Sequence, residues 1–312
     1  MNLERVRKVA DAILYEGYLL YPYRPSSLKN RQRWTFGGLY PSSFAKRTGE
    51  ALAFETQLLV HGDGAAIDIE LRFLHLRATS RATGESWQEA TDRTVRVENL
   101  LISDLAIYTH EHRFAFNASL NGAIRQEHLQ ASIEAWAART GDSLHKLTIR
   151  VSNRNPIDLP EGITRDEASM HALNSAHAII TATNGEFVSL IDPPQGFRDA
   201  AGLCSNTGVW PVLAGDEGSH DCMLASPIIL SDHPQIASES AGDLFDSSEI
   251  DEILTLRILT MSEAEKEEIR NSDPRARRLL ERTEALTSEQ LIQLHGVLRN
   301  PRAEGLAAGS EK

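Results

Sequence analysis

The segment LQASIEAWAARTGDSLHKLTIRVSN, residues 129–153, decides the fold of this chain. Its first half alternates apolar and polar side chains with a period of two, which places every second residue on one face of a β-strand. A Thr-Gly-Asp turn follows at residues 140–142, and the alternation resumes over 147–151. The period of an α-helix fits the segment less well, so the pattern predicts an antiparallel β-hairpin.

The same alternation recurs earlier in the chain. LAFETQLLVHG (52–62) and AAIDIELRFLHL (65–76) flank a Gly-Asp-Gly turn, which predicts a second hairpin. TVRVENLLI (94–102) and HRFAFNASL (112–120) are typical of further strands. About six short antiparallel strands between turns indicate a β-sandwich. We therefore predict an α+β protein built on an antiparallel β-sandwich of immunoglobulin-like architecture, without the tyrosine and cysteine landmarks of antibody domains.

Helical signals flank the predicted sandwich. Thr164 and Glu167 form a capping box, which predicts a helix that reaches Ile180. Further capping boxes towards the C-terminus indicate more helices. The sequence divides into four parts: an N-terminal helix with an aromatic and basic arm (1–45), the sandwich (46–158), a mixed α/β to helical subdomain (159–302) and a disordered tail (303–312).

Composition limits the classes of function. The chain has 312 residues, of which 41% are hydrophobic and 24% charged, as in ordinary soluble globular proteins. Its formal net charge of −12 argues against nonspecific nucleic-acid binding, which needs a basic surface. The first residues, MNLERVRKVADAIL, lack the apolar core of a signal peptide, and no later apolar run reaches about 18 residues. We therefore expect no membrane span and a cytoplasmic location.

Two segments carry residues that are typical of protein contacts. Residues 13–40 hold five of the six tyrosines together with several arginines, and both types are enriched at binding hot spots. This arm either contacts a partner or wraps its own domain. The acidic run 242–254 fits no calcium loop and indicates a capped helix start or a docking motif for a basic partner. The predicted partner contacts are Tyr21, Tyr23, Arg24, Arg33, Trp34, Asp243, Phe245 and Asp246.

Patterns for catalysis or metal binding are sparse. The chain has no phosphate-binding loop, dinucleotide fingerprint, nucleophile elbow or zinc-protease motif. His110 and His112 would share one face of a strand, but two ligands do not make a metal site. The two cysteines are expected to be free thiols. A metal or thiol site remains an alternative, and no cofactor is predicted; the candidates for that site are Cys204, His220, Cys222 and His233.

Two blocks of the sequence resemble a known family. They are ILYEGYLLYPYR (13–24) with KNRQRWTFGGLYP (29–41), and CSNTGVWPVL (204–213) with SPIILSDHPQIASESAGDLFDSSEIDEILTLRIL (226–259). Both blocks resemble an uncharacterised family of proteins encoded in uptake NiFe-hydrogenase gene clusters of actinobacterial type. The resemblance implies a cytoplasmic accessory role with a hydrogenase subunit or a maturation factor as partner. It supplies no catalytic residues and does not cover the β-rich middle of the chain.

These features together predict a non-enzymatic accessory or scaffolding protein. Its expected role is to support maturation or assembly of a NiFe hydrogenase through protein–protein contacts. Whether the chain is an enzyme stays open, although the sparse motifs lean against it. The alternatives are a metal- or thiol-dependent enzyme of cofactor maturation and a small-molecule-binding β-sandwich.

Overall fold

The computed structural model describes residues 3–15, 36–80, 86–235 and 263–270, together with residues 277, 280, 281, 284 and 285. The chain divides into two units, Met1–Ile236 and Ala237–Lys312. In the described part of the first unit, a five-stranded and a seven-stranded antiparallel sheet face each other. The strands are β1 (Ala53–His61), β2 (Ala66–Ser80), β3 (Ser86–Leu101), β4 (His110–Phe116), β5 (Ser119–Asn121), β6 (Ile124–Gln126), β7 (Leu129–Gly141), β8 (Leu144–Asn153), β9 (Asn174–Thr183), β10 (Glu186–Val188), β11 (Trp210–Leu213) and β12 (Cys222–Ser226).

Each sheet draws strands from both halves of the first unit. The five-stranded sheet has the order β10-β1-β8-β7-β4. The seven-stranded sheet has the order β11-β12-β9-β2-β6-β5, and β3 pairs with β2 as well. Strands β9 to β12 lie beyond residue 158, so the two sheets extend past the point where the sequence placed the end of the sandwich.

The apolar core lies between the two sheets, as the alternating patterns predicted. One side of the core comes from β7, whose inward residues are Leu129, Ala131, Ile133, Ala135 and Ala137. The other side comes largely from β2, through Ile67, Ile69, Leu71 and Phe73. The β-sandwich is thereby confirmed. The hairpin over 129–153 is confirmed too, because β7 and β8 pair down to Gly141 and Leu144 on either side of a two-residue turn.

The hairpin predicted between residues 52 and 76 is wrong. β1 pairs with β8 and β10, whereas β2 pairs with β3, β6 and β9, so the two strands belong to different sheets. The intervening turn carries the chain across the sandwich. Gly62 has a φ of 126°, which a side chain would strain, and its N–H donates to the carbonyl of Ser143 at 2.7 Å. Apolar and polar residues alternate in both strands because the two strands line opposite sides of one core.

In the described part of the first unit, five α-helices accompany the sheets: α1 (Leu3–Tyr15), α2 (Ser42–Thr48), α3 (Ile102–Leu105), α4 (Arg165–Ser169) and α5 (Arg198–Gly202). The capping box that begins α4 is confirmed, since Thr164 and Glu167 bond each other reciprocally. The expected extension of this helix to Ile180 is wrong, because Asn174–Thr183 is strand β9. Nine of its ten residues are buried, so both faces of β9 are covered. The sequence therefore lacks the alternation of apolar and polar residues that marks a strand with one exposed face.

Helix α1 covers the outer face of the seven-stranded sheet. Its apolar residues repeat at helical spacing, as the sequence predicted, and pack on side chains that point away from the core: Val6, Val9, Ala10 and Ile13 against Ile179, Val212, Cys222 and Leu224. Arg7 and Arg96 both pair with Glu70, at 2.7 and 2.9 Å. Burial raises the pKa of Glu70, but these two hydrogen bonds outweigh burial and lower it overall. Arg72 of β2 also pairs with Asp11 of α1.

His177 lies fully buried in β9 on the face that α1 covers. Its Nδ1 donates to the carbonyl of Ser175 at 2.8 Å, whereas its Nε2 has no partner among the described residues. Burial, followed by the charge of Arg72, lowers the pKa of His177 to about 4. The ring is therefore neutral at physiological pH, and protonating it would place an uncompensated charge beneath the helix.

In the second unit, the structure describes helix α6 (Glu263–Arg270). Lys266 and Arg270 lie one turn apart and both pair with Glu284, at 3.1 and 3.2 Å. Leu280 is buried. The predicted disordered tail, 303–312, lies outside the described residues.

We expect acid to destabilise the protein through His177. Because its pKa falls from 6.5 to about 4 on folding, the unfolded state binds more protons between these two values. The contribution of His177 to the free energy of unfolding should therefore be constant well above pH 6.5 and fall as the pH drops towards 4, by up to about 3 kcal/mol. Chemical denaturation at a series of pH values measures the fall.

The variant His177→Phe supplies the comparison. It removes the buried titrating group, so its stability should depend less steeply on pH over the same range. The matched change His61→Phe makes the same substitution at an exposed histidine. Equal slopes in His177→Phe and in the native protein would contradict the assignment.

Candidate interaction surface

The eight residues predicted to contact a partner lie outside the described residues. They are Tyr21, Tyr23, Arg24, Arg33, Trp34, Asp243, Phe245 and Asp246. Their role stays a prediction.

The two cysteines are free and lie in different apolar clusters. Cys222 begins β12 beneath α1, and burial raises the pKa of its thiol to about 12. Cys204 follows α5 and is partly exposed beside Leu59, Leu144 and Val188. Burial raises the pKa of Cys204 as well. Both thiols therefore stay protonated at neutral pH, whereas catalysis and metal binding use the thiolate.

The two histidines of the alternative metal site differ in how their side chains are held. His220 Nδ1 lies 3.1 Å from the carbonyl oxygen of Phe187. The imidazole Nδ1 of His233 is buried without a hydrogen-bond partner among the described residues. Among the residues that the structure describes, no group of three or more His, Cys, Asp or Glu side chains is placed to hold a metal ion. The geometry thus gives the metal alternative no support.

An exposed turn joins β3 to β4 and displays three large apolar side chains: Leu101 (42% exposed), Ile107 (83%) and Tyr108 (54%). We call these three residues the apolar turn. Its backbone is anchored, because Ile102 and Leu105 of α3 are buried in the core. The N–H groups of Ile107 and Tyr108 both donate to the carbonyl of Asp104, at 2.9 and 3.0 Å. The apolar side chains are thus held in solvent by ordered structure, which favours an interaction site.

Strand β4 continues this surface as an open sheet edge. Among the described residues, β4 pairs with β7 alone. The seven residues, HEHRFAF, contain no proline, and the pairing with β7 runs without a bulge. Natural edge strands are usually protected by such interruptions, by unpaired charges or by a covering segment.

The charged residues of β4 neutralise each other. Arg113 Nε and Nη2 donate to the two carboxylate oxygens of Glu111 at 2.8 and 3.0 Å. This side-chain hydrogen bond lowers the pKa of Glu111. His110 and His112 share the opposite, half-buried face of the strand, as predicted for a His-x-His pair. No second strand from the described residues pairs with the other edge of β4, and such an edge can accept another extended segment. We call the apolar turn together with β4 the edge surface.

The edge surface offers apolar side chains and backbone hydrogen-bond groups. Proteins use this combination to bind extended segments of other proteins. The sequence pattern identified β4 within HRFAFNASL but missed the apolar turn. The signal was present in LAIYTH (105–110), which places two large apolar residues in the connection between two strands.

The chain matches no protein-family model, and no curated protein matches it. Within the described residues, no helix is both long enough and apolar enough to cross a lipid bilayer.

The burial of the two thiols predicts how they react. In the native protein, a maleimide should label Cys204 slowly and Cys222 only after unfolding, because Cys222 is fully buried and both pKa values are raised. Mass spectrometry of native and denatured samples measures the labelling. The chain has two cysteines, so Cys204→Ser isolates Cys222. Fast labelling of that variant in its native state would show that α1 does not cover the thiol.

Proposed function

We propose that this chain is a non-enzymatic accessory protein that binds another protein through the edge surface. The observation that supports the proposal best is the exposure of Ile107 and Tyr108 on an anchored backbone. Covering a large apolar side chain contributes about 1.5–3 kcal/mol. A partner segment paired along β4 adds backbone hydrogen bonds to this gain.

The proposed partner is a hydrogenase subunit or a maturation factor in the cytoplasm. Support for this partner comes from the resemblance of residues 13–41 and 204–259 to proteins encoded in hydrogenase gene clusters. The predicted contacts in the aromatic arm belong to the first of these blocks, and we propose that they bind the same partner. The acidic contacts at 243–246 belong to the second block.

We also propose the finer architecture that the sequence predicts. It consists of an immunoglobulin-like architecture for the sandwich and a helical C-terminal subdomain. The two packed antiparallel sheets support the first feature. Helix α6, with its ion pairs to Glu284, supports the second.

A metal- or thiol-dependent enzyme has less support. The pKa values of Cys204 and Cys222 are raised, whereas a catalytic thiol needs a lowered one. Each thiol packs in an apolar cluster of its own. A non-enzymatic accessory protein therefore remains the main proposal.

Replacing Ile107 by Asp should disrupt partner binding without unfolding the protein. The side chain is 83% exposed, so the change has little to disturb within the chain, while a buried carboxylate in the interface is unfavourable. We expect about a tenfold loss of partner recovered, in line with the loss of one interface hot spot. Affinity purification of the tagged protein from hydrogenase-expressing cells, followed by quantitative mass spectrometry, measures it.

Leu120→Asp is the matched control, because Leu120 is 76% exposed but lies on the β5–β6 hairpin. It introduces the same charge and should leave recovery unchanged. Thermal unfolding of both variants checks their fold. Equal recovery with Ile107→Asp and with the native chain would rule out the edge surface. An eluate without any hydrogenase subunit or maturation factor would rule out the proposed partner.

A further inference from the structure

The inner face of β2 changes from apolar to polar halfway along the strand. Its first inward residues, Ile67, Ile69, Leu71 and Phe73, belong to the core. The next residues of the same face are His75, Arg77 and Thr79, because alternate residues of a strand share a face. The strand pairs with β3 without interruption from Ile69 to Ser80, so the register keeps these side chains on that face.

The neighbouring strands add polar groups to the same face. Arg93 of β3 lies opposite Phe73, and Gln126 of β6 lies opposite Arg77. Arg77 is neutralised by Glu89, which lies directly across from it, with Nε to Oε2 at 2.9 Å. Arg93 Nη2 donates to Oε1 of Gln126 at 3.1 Å, and Gln126 Nε2 donates to the backbone carbonyl of His75 at 3.2 Å. We call His75, Thr79, Arg93 and Gln126 the polar cluster.

Arg93 carries a charge that no described residue neutralises. Its described contacts are the neutral Gln126 and the ring of Phe116, whose centroid lies 4.5 Å from Cζ. Its Nε is buried without a hydrogen-bond partner among the described residues. Burial lowers the pKa of Arg93. A half-buried guanidinium without a carboxylate is costly unless something else satisfies it.

His75 is the second unsatisfied group of the cluster. Its side chain is 0% exposed, and neither ring nitrogen has a hydrogen-bond partner in the described part of the chain. Burial, and then the charge of Arg93, lower its pKa to about 4, although the nearby backbone of Glu127 opposes the shift. The neutral ring presents one N–H donor and one acceptor. Thr79 Oγ1 is also buried without a partner among the described residues.

We propose that the polar cluster is a binding site for the carboxylate group of a small molecule. The guanidinium of Arg93 supplies one unpaired positive charge, which matches a single carboxylate, and its planar fork suits two parallel hydrogen bonds. The hydroxyl of Thr79 and the N–H of His75 are further donors. The partly buried ring of Phe116, which contacts Arg93, forms the apolar wall against which the body of the molecule packs.

The number of charges favours a carboxylate over a phosphate group. A phosphate carries up to two negative charges and is usually met by several cations or by a helix N-terminus. In the polar cluster, Arg77 is already paired with Glu89, and His75 is neutral at physiological pH. Arg93 therefore acts alone. This inference does not depend on partner binding at the edge surface.

Isothermal titration calorimetry of the full chain tests the proposal with small probes. Acetate, succinate and benzoate are the carboxylates, benzamide is the neutral counterpart of benzoate, and inorganic phosphate is the competing anion. We expect benzoate to bind most tightly of the five, because it combines the carboxylate with a ring that can pack on Phe116. Benzamide should bind about tenfold or more weakly, since hydrogen bonds to a charged group are the stronger ones.

Variants assign the binding to Arg93. Arg93→Gln should weaken benzoate binding by about 10- to 100-fold. The affinity of Arg93→Lys for benzoate should lie between those of Arg93→Gln and the native chain, because lysine keeps the charge but lacks the planar guanidinium. Arg96→Gln is the matched control: Arg96 lies on the opposite face of β3, where it pairs with Glu70. It should leave the affinity for benzoate unchanged. Circular dichroism and thermal unfolding confirm that each variant folds.

NMR signals of the histidine imidazole rings, recorded on the native chain with and without benzoate, locate the site without an Arg93 variant. Benzoate should shift the signal of His75, which the variant His75→Gln assigns by its loss. Four results would overturn the proposal: no carboxylate of the panel binds, benzamide matches benzoate, phosphate binds more tightly than every carboxylate, or Arg93→Gln behaves like Arg96→Gln. The buried polar atoms would then have a purely structural role.

Discussion

The pairing of β2 along both of its edges is the constraint on which the first unit depends. This strand has 15 residues and pairs with β3 on one side, and with β9 and then β6 on the other. Its inner face supplies one wall of the core, and its outer face holds α1 through Glu70 and Arg72. Beyond the core it continues as the floor of the polar cluster. A shift in register by one residue would exchange all three roles at once.

The period of two made the sandwich predictable but not the partners of its strands. For residues 129–153, alternation and a turn identify a hairpin, and two strands of the five-stranded sheet follow from it. The same signals over 52–76 predicted a second hairpin, yet the chain crosses between sheets there. Alternation reports only that one face of a strand is buried. Which neighbour it pairs with depends on long-range contacts, and for β1 the nine residue pairs with β8 decide.

The misread helix before Ile180 follows from burial on both faces. The capping box at Thr164 and Glu167 was a sound local signal, and α4 begins there as predicted. Strand β9 then lies between the core on one side and α1 on the other, so Ala178 and Ile179 are both buried although they point in opposite directions. With apolar residues on both faces, periodicity cannot separate a buried strand from a helix. The packing of α1, which lies far away in sequence, creates this ambiguity.

The candidate sites were less predictable than the fold for the same reason. Strand β4 was visible in the sequence, but the exposure of Ile107 depends on α3 anchoring the turn from below. Arg93 lacks a carboxylate partner among the described residues because the fold determines which acidic side chains are near it. Glu89, on the same strand, already forms an ion pair with Arg77. Phe116 is the last residue of β4, and its ring forms a cation–π contact with Arg93. The edge surface and the polar cluster therefore meet at this residue. A segment added along β4 that restricts this ring would alter the affinity of Arg93 for a carboxylate. By thermodynamic reciprocity, a bound carboxylate would then alter the affinity of β4 for the segment by the same factor.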